Sequence, residues 1–72
     1  MNDGYDSYRI EHFREGMRIE LHPATDLWLA GARYGTVVRV GREKVHVALD
    51  LIPGVHAISP GLLRPVEDGG PS

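Results

Sequence analysis

The feature that most constrains the fold is a pair of valine-rich segments, residues 34–40 and 44–49, joined by a short polar link. Valine is enriched in strands because its branched side chain packs well on a pleated surface. Two such segments with so short a link are typical of a β-hairpin. The sequence therefore predicts an antiparallel hairpin at the centre of the chain.

The register of this hairpin follows from side-chain parity. Residues directly opposite each other in an antiparallel pair face the same side of the sheet. A turn at Arg42–Glu43, or more loosely at Gly41–Lys44, gathers the apolar residues on one face. That face pairs Val40 with Val45, Val38 with Val47 and Thr36 with Leu49, and the other face pairs Arg39 with His46 and Val37 with Ala48.

Three further strands are predicted around the hairpin. Residues 17–21 alternate between apolar and charged side chains, and residues 55–59 and 64–66 follow the turn residues Pro53–Gly54 and Pro60–Gly61. Residues 22–33 form a long first loop, Pro60 to Leu63 suggest a 3₁₀ turn before the last strand, and residues 8–14 fit either a helix or a strand. This order predicts an all-β fold, a small five-stranded SH3-like barrel, and a closed barrel would leave few exposed edges.

A chain of 72 residues forms one domain. We expect an N-terminal extension at residues 1–14 that is partly flexible, a barrel at residues 15–66, and a disordered acidic, Gly/Pro-containing tail at residues 67–72. The chain has no cysteine, which excludes disulfides, thiolate zinc sites and a cysteine nucleophile. Neither a signal peptide nor an apolar stretch of membrane-spanning length is found, so we expect a cytoplasmic protein with no membrane partner.

Three runs carry a resemblance to a known family: Gly16-Met17-Arg18-Ile19-Glu20-Leu21, Gly31 to Val40 with its Tyr34-Gly35-Thr36-Val37-Val38, and Val45-His46-Val47. Together they resemble the KOW-like subset of SH3-like barrels, in which a glycine, here Gly35, precedes the Thr-Val-Val strand. The runs His22-Pro23-Ala24-Thr25-Asp26, Ser59-Pro60 and Leu62-Leu63-Arg64-Pro65 look like small proteins of actinobacteria and their phages, mostly without assigned function. The KOW-like resemblance implies contact with RNA, DNA or a polymerase.

Charge points to one candidate surface. Residues 31–49 carry a net charge of +3, although the whole chain has a net charge of −2. The five basic side chains that would contact nucleic-acid phosphates are Arg33, Arg39, Arg42, Lys44 and His46. The simpler interpretation is that these charges keep a solvated hairpin soluble.

An apolar loop supplies the alternative, a protein-interaction adaptor of the kind that serves as a phage accessory or assembly protein. Leu27, Trp28 and Leu29, with Tyr34 just beyond the loop, would anchor a protein partner if they were exposed. Alternatively, the segment forms a short helical turn capped by Thr25 or Asp26 and packs on one end of the barrel.

Catalysis and metal binding find little support in the residues. The four histidines, His12, His22, His46 and His56, lack the close spacing of a zinc motif. Ser59 lies in no nucleophile motif, Asp26 and Asp50 are best explained as turn residues, and no glycine-rich loop opens a helix. We therefore predict a binding module without enzymatic activity, cofactor, metal or small-molecule substrate.

Overall fold

A computed structural model describes residues 8–66 of the chain. The elements in chain order are a 3₁₀ turn η1 (Ile10–His12), β1 (Arg18–Leu21), α1 (Asp26–Leu29), β2 (Tyr34–Val40), β3 (Val45–Leu49), β4 (Val55–Ile58), a second 3₁₀ turn η2 (Pro60–Leu62) and β5 (Leu63–Pro65). All five predicted strands are present, and so is the 3₁₀ turn before the last strand. The undecided segment 8–14 contains η1.

The five strands form one antiparallel sheet in the order β4-β3-β2-β1-β5. β1 is the first strand in sequence, but it is an interior strand of the sheet, because it pairs with β2 on one side and with β5 on the other. β4 and β5 are the two edges and do not pair with each other, so the sheet is not closed by backbone pairing. The predicted all-β class is therefore confirmed, whereas closure of the barrel is not seen.

The register of the β2–β3 hairpin is confirmed near the turn and wrong beyond it. Val40 lies opposite Val45 and Arg39 opposite His46, as predicted, but a β-bulge follows between Val37 and Arg39. From there the pairs are Val37 with Val47, Thr36 with Ala48 and Gly35 with Leu49. The bulge adds one unpaired residue to β2, which reverses the faces of all residues before it. Val37 is consequently 1% exposed and Val38 is 41% exposed, the opposite of the predicted arrangement.

The core lies on the inner face of the sheet. Its fully buried side chains come from four of the five strands, namely Ile19, Leu21, Val37, Val45, Val47 and Leu63. Phe13, which follows η1, is also buried, and Tyr8 and Ile10 pack against the same cluster. The segment before Gly16 therefore contributes to the core. Of the extension predicted at residues 1–14, residues 1–7 lie outside the described range, as does the predicted tail at residues 67–72.

The long first loop contains the helical turn α1, and this confirms one of its two interpretations. Thr25 is the N-cap, and its Oγ1 accepts a hydrogen bond from the Trp28 N–H at 3.2 Å. The Thr25 hydroxyl itself donates to the His22 carbonyl at 2.9 Å, which ties the cap to the end of β1. The turn brings Leu27 and Trp28 against the core, where both are partly buried.

Candidate nucleic-acid interface

The turn of the central hairpin carries two of the predicted basic side chains. The Gly41 N–H donates to the Lys44 carbonyl at 2.9 Å and closes the turn. Arg42 and Lys44 are both exposed there. A β-carbon at Gly41 would lie 3.1 Å from the Lys44 carbonyl oxygen and 3.3 Å from His46 Nε2, so the missing side chain lets the turn approach the histidine ring closely.

Arg39 and His46 stand next to this turn on the outer face of the sheet. They are directly opposite each other in the β2–β3 ladder, beside the inward-facing pair of Val40 and Val45. Arg39 is exposed and His46 is half-buried. We call Arg39, Arg42, Lys44 and His46 the hairpin cluster. Two of its members lie opposite each other in the β2–β3 ladder, and the other two lie in the adjoining turn.

The basic residues elsewhere on the outer face are neutralised by carboxylates. Arg18 forms a two-fold hydrogen-bonded ion pair with Asp50, with nitrogen–oxygen distances of 2.9 and 2.7 Å, and also donates to Thr36 Oγ1 at 3.1 Å. Arg64 forms an ion pair with Glu20 on the neighbouring strand. The hydrogen bonds from Arg18 hold the pKa of the Asp50 carboxyl below its ordinary value of 3.8.

The hairpin cluster has no such neutralisation. Within residues 8–66, neither Arg39, Arg42 nor Lys44 forms an ion pair with a carboxylate. Glu43 is exposed in the same turn and leaves the cluster net positive. Exposed and unpaired cations of this kind can donate hydrogen bonds to phosphate oxygens without first breaking an internal contact.

Arg33 does not belong to this cluster. It precedes β2, whereas the hairpin turn follows β2, so the seven residues of that strand separate them. At about 3.3 Å per residue the separation is roughly 20 Å. The guanidinium carbon of Arg33 lies 4.5 Å from the centroid of the Trp28 ring, a cation–π contact. Arg33 therefore joins the second set of predicted residues rather than the first.

The four residues predicted for protein binding do not form one continuous patch. Leu27 and Trp28 are partly buried against the core, and Arg33 covers one face of the indole ring. Leu29 points outward and is 78% exposed, and Tyr34 is 43% exposed. Of the apolar anchors proposed for a partner, only these two are largely accessible.

The structure has two surface clefts that the sequence analysis did not predict. One, of about 380 Å³, lies between the start of α1, Lys44 and the end of β4. The other, of about 370 Å³, is lined by Gly31, Arg33, Tyr34, Asp50 and Leu51. Both are lined by residues that are distant in sequence, and no local pattern indicates that such residues meet.

No group of three or more His, Asp or Glu side chains that could hold a metal ion occurs within residues 8–66. In the same range, no helix has the length and apolar character needed to cross a membrane. Compared with known proteins, the chain matches no protein-family model, no curated protein and no solved structure.

Proposed function

We propose that the protein is a non-enzymatic binding module with an SH3-like barrel architecture, and that its hairpin cluster contacts the phosphates of nucleic acid, free or within a nucleoprotein complex. The strand order β4-β3-β2-β1-β5 and the 3₁₀ turn directly before β5 support the architectural part. The resemblance to KOW-like barrels supports the choice of nucleic acid as the partner.

The observation that carries the proposal is the contrast between two groups of cations on one sheet. Arg18 and Arg64 are held by Asp50 and Glu20, while the cations of the hairpin cluster have no carboxylate partner among residues 8–66. A phosphate-binding surface requires such a concentration of unpaired cations, because each phosphate contact releases condensed counterions.

The distribution of acidic residues is consistent with this assignment. All eight lysine and arginine residues lie within residues 8–66, whereas four of the ten acidic residues, Asp3, Asp6, Glu67 and Asp68, lie outside that range. The described part of the chain is therefore net positive despite the acidic total. An overall negative charge does not prevent binding when the positive charge is concentrated on one surface.

The test is a titration of the full chain against fluorescently labelled single-stranded RNA, single-stranded DNA and duplex DNA over a range of salt concentrations. We expect salt-sensitive binding by the wild type. Arg39→Ala and Lys44→Ala should each weaken binding and lower the slope of log affinity against log salt by about one, the contribution of one phosphate contact.

Arg14→Ala is the matched control. Arg14 is exposed and lies outside the hairpin cluster, so its removal changes the net charge equally but should leave the salt slope unchanged. Equal losses in Arg14→Ala and Arg39→Ala would show that only total charge matters, contrary to the proposal. Absence of binding by the wild type at low salt would overturn it.

A second candidate function is an adaptor that binds a protein at the Trp28 loop, and the exposure of Leu29 and of Tyr34 favours it. The partly buried Trp28 limits the area available there, because its indole packs on the core and under Arg33. This candidate replaces the first if the titration detects no nucleic-acid binding.

A further inference from the structure

The cleft lined by Gly31, Arg33, Tyr34, Asp50 and Leu51 lies at the opposite end of β2 from the hairpin cluster. Its volume of about 370 Å³ is the space of roughly twelve water molecules. That is room for one planar ring system with part of its substituent.

One wall of the cleft is formed by Arg33, whose guanidinium group is planar and positively charged. Arg33 is exposed to the cleft, and the contact of its guanidinium carbon with the Trp28 ring at 4.5 Å fixes where the group lies. A guanidinium group is planar and can itself stack on a second planar group. Trp28 is itself fixed by packing against the core and by the Thr25 cap, so the support is preformed.

The other walls include two accessible side chains that offer apolar surface, Tyr34 and Leu51. Tyr34 exposes its ring, and its hydroxyl has no hydrogen-bond partner among residues 8–66. Leu51 is 74% exposed and lines the cleft with an apolar side chain. Asp50 is held by Arg18 and donates its backbone N–H to the Tyr34 carbonyl at 3.0 Å, which fixes the loop carrying Leu51 relative to β2.

We infer that this cleft takes an unpaired base of a single-stranded nucleic acid whose backbone continues to the hairpin cluster. The inference rests on the proposed function. Aromatic and guanidinium surfaces stack on bases of any sequence, but only when the base is free of its neighbours. The separation along β2, roughly 20 Å, is within reach of an oligonucleotide of eight residues even at the 3.4 Å rise of a duplex strand.

The test compares an eight-nucleotide single strand with the duplex of the same sequence, both labelled, at one salt concentration. Tyr34→Ala should weaken single-strand binding roughly 5- to 150-fold, the range for one lost stacking contact, and leave duplex binding unchanged. Tyr34→Phe keeps the ring and should bind like the wild type. Arg33→Lys keeps the charge but not the plane, and should weaken the single strand alone.

Leu51→Ser provides a second variant, since its exposed side chain can be replaced without disturbing the core. It should also weaken single-strand binding, and thermal denaturation should show that each variant is folded. If Tyr34→Ala and Leu51→Ser bind the single strand like the wild type, or weaken the duplex equally, this inference is overturned while the proposed function stands. If the wild type binds neither oligonucleotide, both fail.

Discussion

Replacing Gly35 by alanine tests how closely β2 and β3 pack together at the core. Gly35 lies in β2 opposite Ile19 of β1 and Leu49 of β3. A β-carbon at this position would be 2.7 Å from the Ala48 carbonyl oxygen, 2.7 Å from Val47 Cγ1 and 3.0 Å from Leu49 Cδ2. The first contact is with backbone in the β2–β3 pairing, which cannot move without displacing β3.

The expected change in the free energy of unfolding is the difference between two opposing effects. Overpacking of a rigid core costs about 1–3 kcal/mol, and the contact with backbone places this site at the upper end of that range. Restriction of the unfolded chain by alanine offsets about 0.4–1 kcal/mol. We expect a net loss of about 2 kcal/mol, which for a domain of this size lowers Tm by roughly 8–16 °C.

Thermal and urea denaturation measure this loss, and Gly61→Ala is the control. Gly61 lies in η2, and a β-carbon there would meet no atom within 4 Å. Gly61→Ala should therefore be neutral or slightly stabilising. A Tm for Gly35→Ala within about 2 °C of that of Gly61→Ala would refute the reasoning, because it would mean that β2 and β3 are not held at this separation.

Two further predictions concern the bulge and the ion pair. Val37→Ala should lower the free energy of unfolding by about 2 kcal/mol because it removes buried methyl groups and leaves a cavity. Val38→Ala, at an exposed position, should lower it by less than about 0.5 kcal/mol. Equal losses for the two variants in urea denaturation would contradict the bulge. Asp50→Asn should lower stability by about 0.5 kcal/mol near pH 6. Because the pKa of Asp50 is lowered on folding, this contribution is fully present above pH 3.8 and is lost as the pH falls through the lower folded-state pKa. The urea midpoints of wild type and Asp50→Asn should therefore converge as the pH is lowered below 3.8.

Much of the sheet could be predicted because local patterns dictate it. The alternation of Ile19 and Leu21 with charged residues marks β1, and the Pro–Gly pairs mark the turns around β4. The bulge could not be predicted in this way. Val37 and Val38 are the same residue type, and parity counted from the turn assigns Val38 to the core. Only the packing of β2 against β1, where Gly35 must lie opposite Ile19, requires Val37 to point inward.

The candidate site, too, could be predicted from the sequence only in part. Arg39 and His46 were placed together correctly because they lie between the turn and the bulge, where parity still holds. The grouping of Arg33 with them was a matter of charge alone, and the length of β2 separates it from the cluster. Its contact with Trp28 depends on how α1 folds back over the sheet, which no residue spacing indicates.

The position of β1 between β2 and β5 has a consequence for the order in which the chain folds. The β2–β3 hairpin joins residues close in sequence, such as Val40 and Val45, and can form on a microsecond timescale. Pairing β1 with β5 instead joins Glu20 to Arg64 and closes nearly the whole domain into a loop. The entropy of that closure is lost before its contacts compensate, so we expect folding in milliseconds or slower, with β5 docking late. During synthesis, the second edge of β1 therefore stays uncovered until β5 (Leu63–Pro65) has been made.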